Sequence, residues 1–331
     1  MYVGRSYRLI DFAVWSRRSV LYMVFVSAVA VAAYLLPPFA GLSIPWPIVA
    51  VLGTTVSLVA GFKSNQVFQR STEALQTFWG IAATSRMLAS LCCDFTTPVT
   101  ARSIILRHLA WLTALRFSLR KPKPWETMAK GANREFFRRH YQIQEDVGSL
   151  PQELEALVGT EAAEIATENY SPVALLNRQA RQINSLLKDG LVPPQVYTEL
   201  MKLLRDCHDH QARCDRIKNA PYPRQYAIVS AMFVAIFVTL LPFGVVPIFA
   251  ELARTALGPA AIWLSVPFST LLGWMYMSLD QVSESTANPF EGSANDVPIS
   301  QICRSLEIEL RSRLGDSDLP EPLLPANGVA T

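Results

Sequence analysis

Apolar residues along this chain gather in two blocks, Val20 to Phe62 and Tyr226 to Leu279, with a long charged stretch between them. Within the blocks, four segments carry the length and composition of membrane spans. A bilayer-crossing helix needs about 20 mainly apolar residues. Val20–Leu36 has no charge and reaches that length; Pro47–Phe62 is slightly short; Tyr226–Pro247 and Ala260–Leu279 are long. Backbone groups in lipid must be bonded within their own segment, so all four are read as helices.

The charged stretch, residues 63–225, lacks the alternating Val/Ile/Thr runs of strands. Ser71–Ser90, Thr100–Arg120, Pro151–Asn169, Pro172–Lys188 and Pro194–Lys218 repeat apolar residues at three- and four-residue spacing, which predicts helices. Proline opens several of them, as suits a first helical turn. Lys121–Pro124 is a breaker. Ser103–Leu119 is apolar enough to tempt a fifth span, but it holds Arg107, His108 and Arg116. Charges at bilayer depth are costly, so it is read as an amphipathic helix outside the membrane. Arg304–Leu314 is one more helix, and the Pro-, Asp- and Gly-rich tail Gly315–Thr331 is read as disordered.

Basic residues set an orientation. Arg5, Arg8, Arg17 and Arg18 precede the first span, Lys63 and Arg70 follow the second, and Arg213, Arg216, Lys218 and Arg224 precede the third. The loop Pro37–Trp46 is uncharged, and Ile248–Pro259 carries only Glu251 and Arg254. The positive-inside rule places both termini and the middle region in the cytoplasm, with Trp46 and Trp263 at the outer interface. Arg17 and Arg18 before an apolar run also suit a secretory leader. The run exceeds the usual core of about 7–15 residues, so it is read as an uncleaved first span. The resulting division is an N-terminal segment (1–19), spans one and two (20–62), a helical cytoplasmic domain (63–225), spans three and four (226–279), a C-terminal segment (280–314) and a tail (315–331).

Composition changes this picture little. The chain has 331 residues, half of them hydrophobic, and a formal charge of +3. That balance is too mild for nucleic acid, and no interleaved basic and aromatic stripe accompanies it. Five cysteines, none in an outer loop, read as reduced thiols. No catalytic triad, phosphate-binding glycine loop or HExxH pattern is present, so an enzyme is not expected, and neither is a cofactor. Cys207, His210 and Cys214 share one helix face, with His208 adjacent. These are transition-metal ligand types, but a full site needs a fourth ligand, and a packed helix face is the preferred reading. Asp11, Glu73 and Asp280 lie near membrane boundaries; capping or ion pairing explains them, Glu73 with Arg70 on one helix.

Thr54, Leu58 and Phe62 recur every four residues, and Gly53 and Gly61 would let neighbouring helices approach closely. On a helix the three stack over about 12 Å at about 1.5 Å per residue. Around a shared axis such a face is the wall of a tube that blocks ions by excluding water. Most membrane helices show the same spacing while facing lipid, so spacing alone favours the blander reading.

The segment after the second span changes the weighting. Gly61, Phe62, Asn65, Phe68, Arg70, Glu73, Ala74, Trp79 and Gly80 resemble, in kind and order, the motif that follows the second span in the bestrophin family, particularly its bacterial members. Lys63 stands for the usual Arg and Phe68 for the usual Tyr. Cys214–Pro223, Leu241–Val245 and Asn288–Ile299, with Asn288, Pro289 and Phe290 at its head, resemble later family segments in register. The resemblance implies an all-α, four-span homopentamer in a bacterial inner membrane: an ion channel with its neck at Thr54, Leu58 and Phe62. A second, cytoplasmic aperture would fall at Val192 or Val196. Animal members bind calcium through an acidic cluster after Asn-Pro-Phe; only Glu291 and Asp296 occupy that stretch here, so no such clamp is expected. An anion (chloride) channel is the leading expectation. A cation (sodium) channel of the same fold is the first rival, and a non-conducting membrane scaffold the second.

Overall fold

The computed structural model describes residues 1–4, 9–127, 142–168 and 170–331. Arg5, Arg8, the Asp11 side chain and Asn169 therefore lie outside the described groups. The described residues form helices and no strand; two isolated bridges join Tyr2 and Ala326 to Val329.

The helices are α1 (Leu9–Trp15), α2 (Arg17–Leu35), α3 (Trp46–Phe95), α4 (Pro98–Arg120), α5 (Gln144–Val147), α6 (Leu150–Val158), α7 (Glu161–Thr167), α8 (Ser171–Lys188), α9 (Pro194–Asn219), α10 (Arg224–Leu252), α11 (Ser265–Thr286) and α12 (Ile299–Arg313). A π turn (Ala253–Leu257) and a 3-10 turn (Pro259–Leu264) join α10 to α11. Four helical stretches are long and apolar enough to cross a membrane: Arg17–Leu35, Trp46–Phe95, Arg224–Thr255 and Pro259–Thr286. The fifth apolar stretch, in α4, is not among them.

The chain divides into two compact units. The span unit comprises residues 5–69 and 222–287; the other comprises residues 1–4, 70–221 and 288–331.

In the span unit α2, α10 and α11 pack on one another, and α3 joins them through Val49 and Val56 against Val234, Phe237, Val238, Leu241 and Val245. Small residues permit the close approaches. A Cβ on Gly244 would meet Val49 at 2.6 Å, and one on Gly53 would meet the Phe237 ring at 3.1 Å. This is the backbone proximity that drives helix association where no hydrophobic force separates helix from lipid. Gly61 differs from Gly53: nothing lies within 4 Å of its would-be Cβ. Hydroxyls add cross-links, Tyr22 to Thr239, Ser57 to Tyr276 and Ser64 to Ser283, each at 2.8 Å.

The other unit is built around α4. Ile104, Ile105, Leu109, Trp111, Leu112, Leu115 and Leu119 are all buried, together with His108 and Arg116. Burial on nearly every side corrects the amphipathic reading of Ser103–Leu119. His108 and Arg116 both find partners inside. His108 Nε2 and Ser85 Oγ lie 2.9 Å apart, and Arg116 meets Glu145 at 2.9 Å as well as Glu153. Burial holds the His108 imidazole well below its ordinary value, at about 4, so it is neutral.

Other helix expectations shift in detail. Ser71–Ser90 is no separate helix; it is the continuation of α3. Pro151–Asn169 splits into α6 and α7 at Gly159, whose φ of +58° suits glycine. The tail is placed rather than disordered. Asp316 bonds Arg311 at 3.0 Å, the Gln301 side chain donates to the Leu323 carbonyl at 2.9 Å, and Val329 is buried. Polar composition alone misses such tethers because they come from basic and amide groups on α12.

Candidate functional site

The span-unit portion of α3 has one face turned inward and one turned out. Val49, Val56, Ala60, Lys63 and Val67 are buried. Thr54, Leu58 and Phe62 lie on the outward face, and Leu58 and Phe62 are each 61% exposed. A four-residue step advances about 400° around a helix, so the three side chains climb one stripe with a slow drift. The Thr54 hydroxyl donates to the Val51 carbonyl at 2.9 Å, a bond back into its own helix that leaves its oxygen lone pairs facing out.

Charge is absent from this stripe because the nearby charges are spent elsewhere. Lys63 Nζ, almost wholly buried, bonds Asp280 Oδ1 of α11 at 2.6 Å. The boundary carboxylate Asp280 is thus a partner for the lysine that replaces the usual family arginine. Beyond Phe62, the exposed residues are Asn65, Gln66, Phe68 and Gln69.

The remaining motif residues belong to the other unit. The Arg70 guanidinium donates to the Ile217 carbonyl of α9. Glu73 pairs with Arg216 of α9, which corrects the expected pairing with Arg70. Cross-helix partners win because both carboxylate and guanidinium point off α3 rather than along it. Phe290 is buried, with its ring centroid 5.9 Å from that of Phe78, and its carbonyl accepts from Arg120 at 3.2 Å. The Pro289 carbonyl accepts from the Val297 amide at 3.0 Å, and the Asn288 carbonyl from the Glu291 amide at 3.4 Å. The Asn-Pro-Phe segment is therefore a folded turn.

The two acidic residues after that turn are both internally engaged. Asp296 accepts from the amides of Gly292 and Ser293 at 2.7 and 2.9 Å, and Glu291 accepts from Thr127. Nearby, Lys218 of α9 bonds Glu126, and both side chains are almost wholly buried. Burial lowers the Lys218 ammonium pKa, and Glu126 opposes that shift. Sequence reasoning missed this pair because the partners stand 92 positions apart.

Val192 and Val196 are 3% and 8% exposed, inside the apolar core of their unit. Both side chains are taken up in packing within their own chain. Their neighbour Leu191, after Gly190 in the corner between α8 and α9, is 57% exposed. Cys207 and Cys214 also lie in the core, and burial pushes the Cys207 thiol up to about 12. The His210 ring packs where a Cβ on Gly80 would meet it at 2.7 Å. Among the described residues no cluster of three or more His, Cys, Asp or Glu side chains is arranged to hold a metal ion.

Comparison with known proteins gives a consistent set of likenesses. The family described as Bacterial/Fungal Bestrophin protein matches residues 13–312. The Escherichia coli (strain K12) protein named voltage-dependent anion channel-forming protein YneE is 24% identical over 310 residues, covering 92% of this chain and 89% of that one. The Mesorhizobium japonicum voltage-dependent anion channel-forming protein mll4386 is 26% identical over 281 residues, 83% of this chain and 77% of that one. Among solved structures, a bacterial bestrophin homolog from Klebsiella pneumoniae superposes with a TM-score of 0.76 at 19% identity, over 91% of this chain and 98% of that one. This last likeness establishes the shared fold.

Proposed function

The chain belongs to the Bacterial/Fungal Bestrophin family, and from that premise we propose that it is an anion channel, assembled as a homopentamer around α3. The observation that carries this reading is the outward stripe of Thr54, Leu58 and Phe62, uncharged and exposed on a helix whose opposite face is buried. Five such stripes around an axis make a narrow apolar neck, and ions cross it only when it wets. Flow is passive, down the electrochemical gradient. The membrane is the bacterial inner membrane, with both termini and residues 63–225 on the cytoplasmic side, as the distribution of Arg and Lys supports. For the second constriction, exposure supports Leu191 in place of Val192 and Val196.

Anion preference rests on the relatives named as anion channel-forming proteins. Purified full-length protein in a planar bilayer under a salt gradient tests it: the current should reverse near the anion equilibrium potential. Reversal near the cation potential favours the cation channel, and absence of current across voltage and pH favours a scaffold.

Thr54 gives the neck a polar outer rung. Thr54→Ile should lower single-channel conductance by about threefold, because a methyl-only rung wets less readily. An unchanged single-channel record rejects a neck role for Thr54.

A further inference from the structure

Below Phe62 the outward face of α3 changes chemistry abruptly. Asn65, Gln66 and Gln69 follow within two turns, all exposed. None of these three side chains makes a hydrogen bond to another described residue, although the segment around them is densely tied. Lys63 bonds Asp280, Ser64 bonds Ser283, and Arg70 bonds the Ile217 carbonyl. Every charged group of these turns is thus withdrawn, and three neutral amides remain facing out, with the Phe68 ring exposed to one side of them. Gln69 is best aligned with the stripe: seven residues from Phe62 is about two turns, or about 10 Å along the axis. Asn65 and Gln66 flank that line on either side.

A primary amide presents two N–H donors and one carbonyl acceptor and carries no net charge. An anion leaving an apolar neck has lost part of its hydration shell, and amide N–H groups replace water at small reorganisation cost. A carboxylate at the same place would repel the anion and hold a cation instead. The three-amide arrangement therefore supplies a rehydration site that accepts anions without trapping them.

We propose that Asn65, Gln66 and Gln69 form the anion-coordinating ring at the inner mouth of the neck, and that the neutrality of Gln69 sets the channel's charge selectivity. This rests on the reading of α3 as the pore wall. The test uses full-length protein in planar bilayers under a sodium chloride gradient. Gln69→Glu should lower the ratio of chloride to sodium permeability by about tenfold, since five carboxylates would then surround one axis. Gln69→Leu should lower conductance severalfold while leaving the ratio within a factor of about two. To place charge after assembly, Gln69→Cys is reconstituted and treated with a negatively charged methanethiosulfonate; the same fall in permeability ratio is expected, while the parent channel, which keeps Gln69, is unaffected by the same reagent. If the unmodified channel passes no current, the pore reading itself fails. If it conducts and neither Gln69→Glu nor the modified Gln69→Cys channel changes the ratio, this proposal is overturned and the pore reading stands.

Discussion

Replacing Phe62 by serine should raise single-channel conductance about tenfold and leave the folded chain's melting temperature within about 2 °C. The two halves of this expectation have one cause. The Phe62 ring is 61% exposed, so it contributes little packing within its own chain. A wet state of the neck must hydrate apolar side chains, at about 25 cal/mol for each Å² uncovered. In the proposed pentamer five rings face one axis, which makes that cost large, and hydroxyls in their place remove most of it. A fall of about 1.4 kcal/mol in the barrier is tenfold in rate. Single-channel recording and thermal melts on the same preparation check the result. Unchanged conductance in an intact assembly would show that the ring faces something other than the ion path.

Glu126→Ala should cost about 3–5 kcal/mol of stability, because it strands the Lys218 ammonium in a dry interior. Glu126 Oε2 also accepts from the Lys123 amide at 3.0 Å, so the substitution frees a second donor. Nearby Glu291 favours the remaining ammonium, and Arg120 opposes it. The pH dependence has a definite sign. Burial already lowers the folded pKa of Lys218 beneath its unfolded value, and loss of Glu126 lowers it further. Between those two values the unfolded chain holds the extra proton, so stability rises with pH. The deficit of the variant should therefore shrink on moving from neutral to alkaline solution. A paired replacement, Glu126→Gln with Lys218→Met, should recover most of the loss, since swapping a buried ion pair for well-packed neutral groups is often close to neutral. Denaturant melts of the three proteins between neutral and alkaline pH decide the matter. An Ala variant as stable as the parent at neutral pH would mean that water reaches the ammonium.

How far this architecture was legible in the sequence depends on the reach of the interactions involved. The four spans announced themselves because lipid demands long apolar runs, and the stripe on α3 followed from helical periodicity. The continuity of α3 past Phe62 did not. Lys63, Arg70 and Glu73 look like the polar end of a span, yet each is matched by a group more than 140 positions away. The same blindness explains α4. His108 and Arg116 suggested a polar face because Ser85, Glu145 and Glu153 were not visible as partners. At the corner between α8 and α9 the spacing did not separate neighbouring apolar residues. A one-residue step separates buried Val192 from exposed Leu191, and Gly190, with a φ of +71°, sets which of them turns outward. Family motifs carried the assignment where periodicity could not, since they fix the order of elements without needing a single contact.

The length of α3 has a mechanical corollary. Its 50 residues correspond to about 75 Å of helical rise. Its one proline, Pro47, sits in the first turn, where proline introduces no kink. Within the span unit, the 24 residues from Trp46 to Gln69 extend about 36 Å, so a tilt of about 5° about one end moves the other by roughly 3 Å.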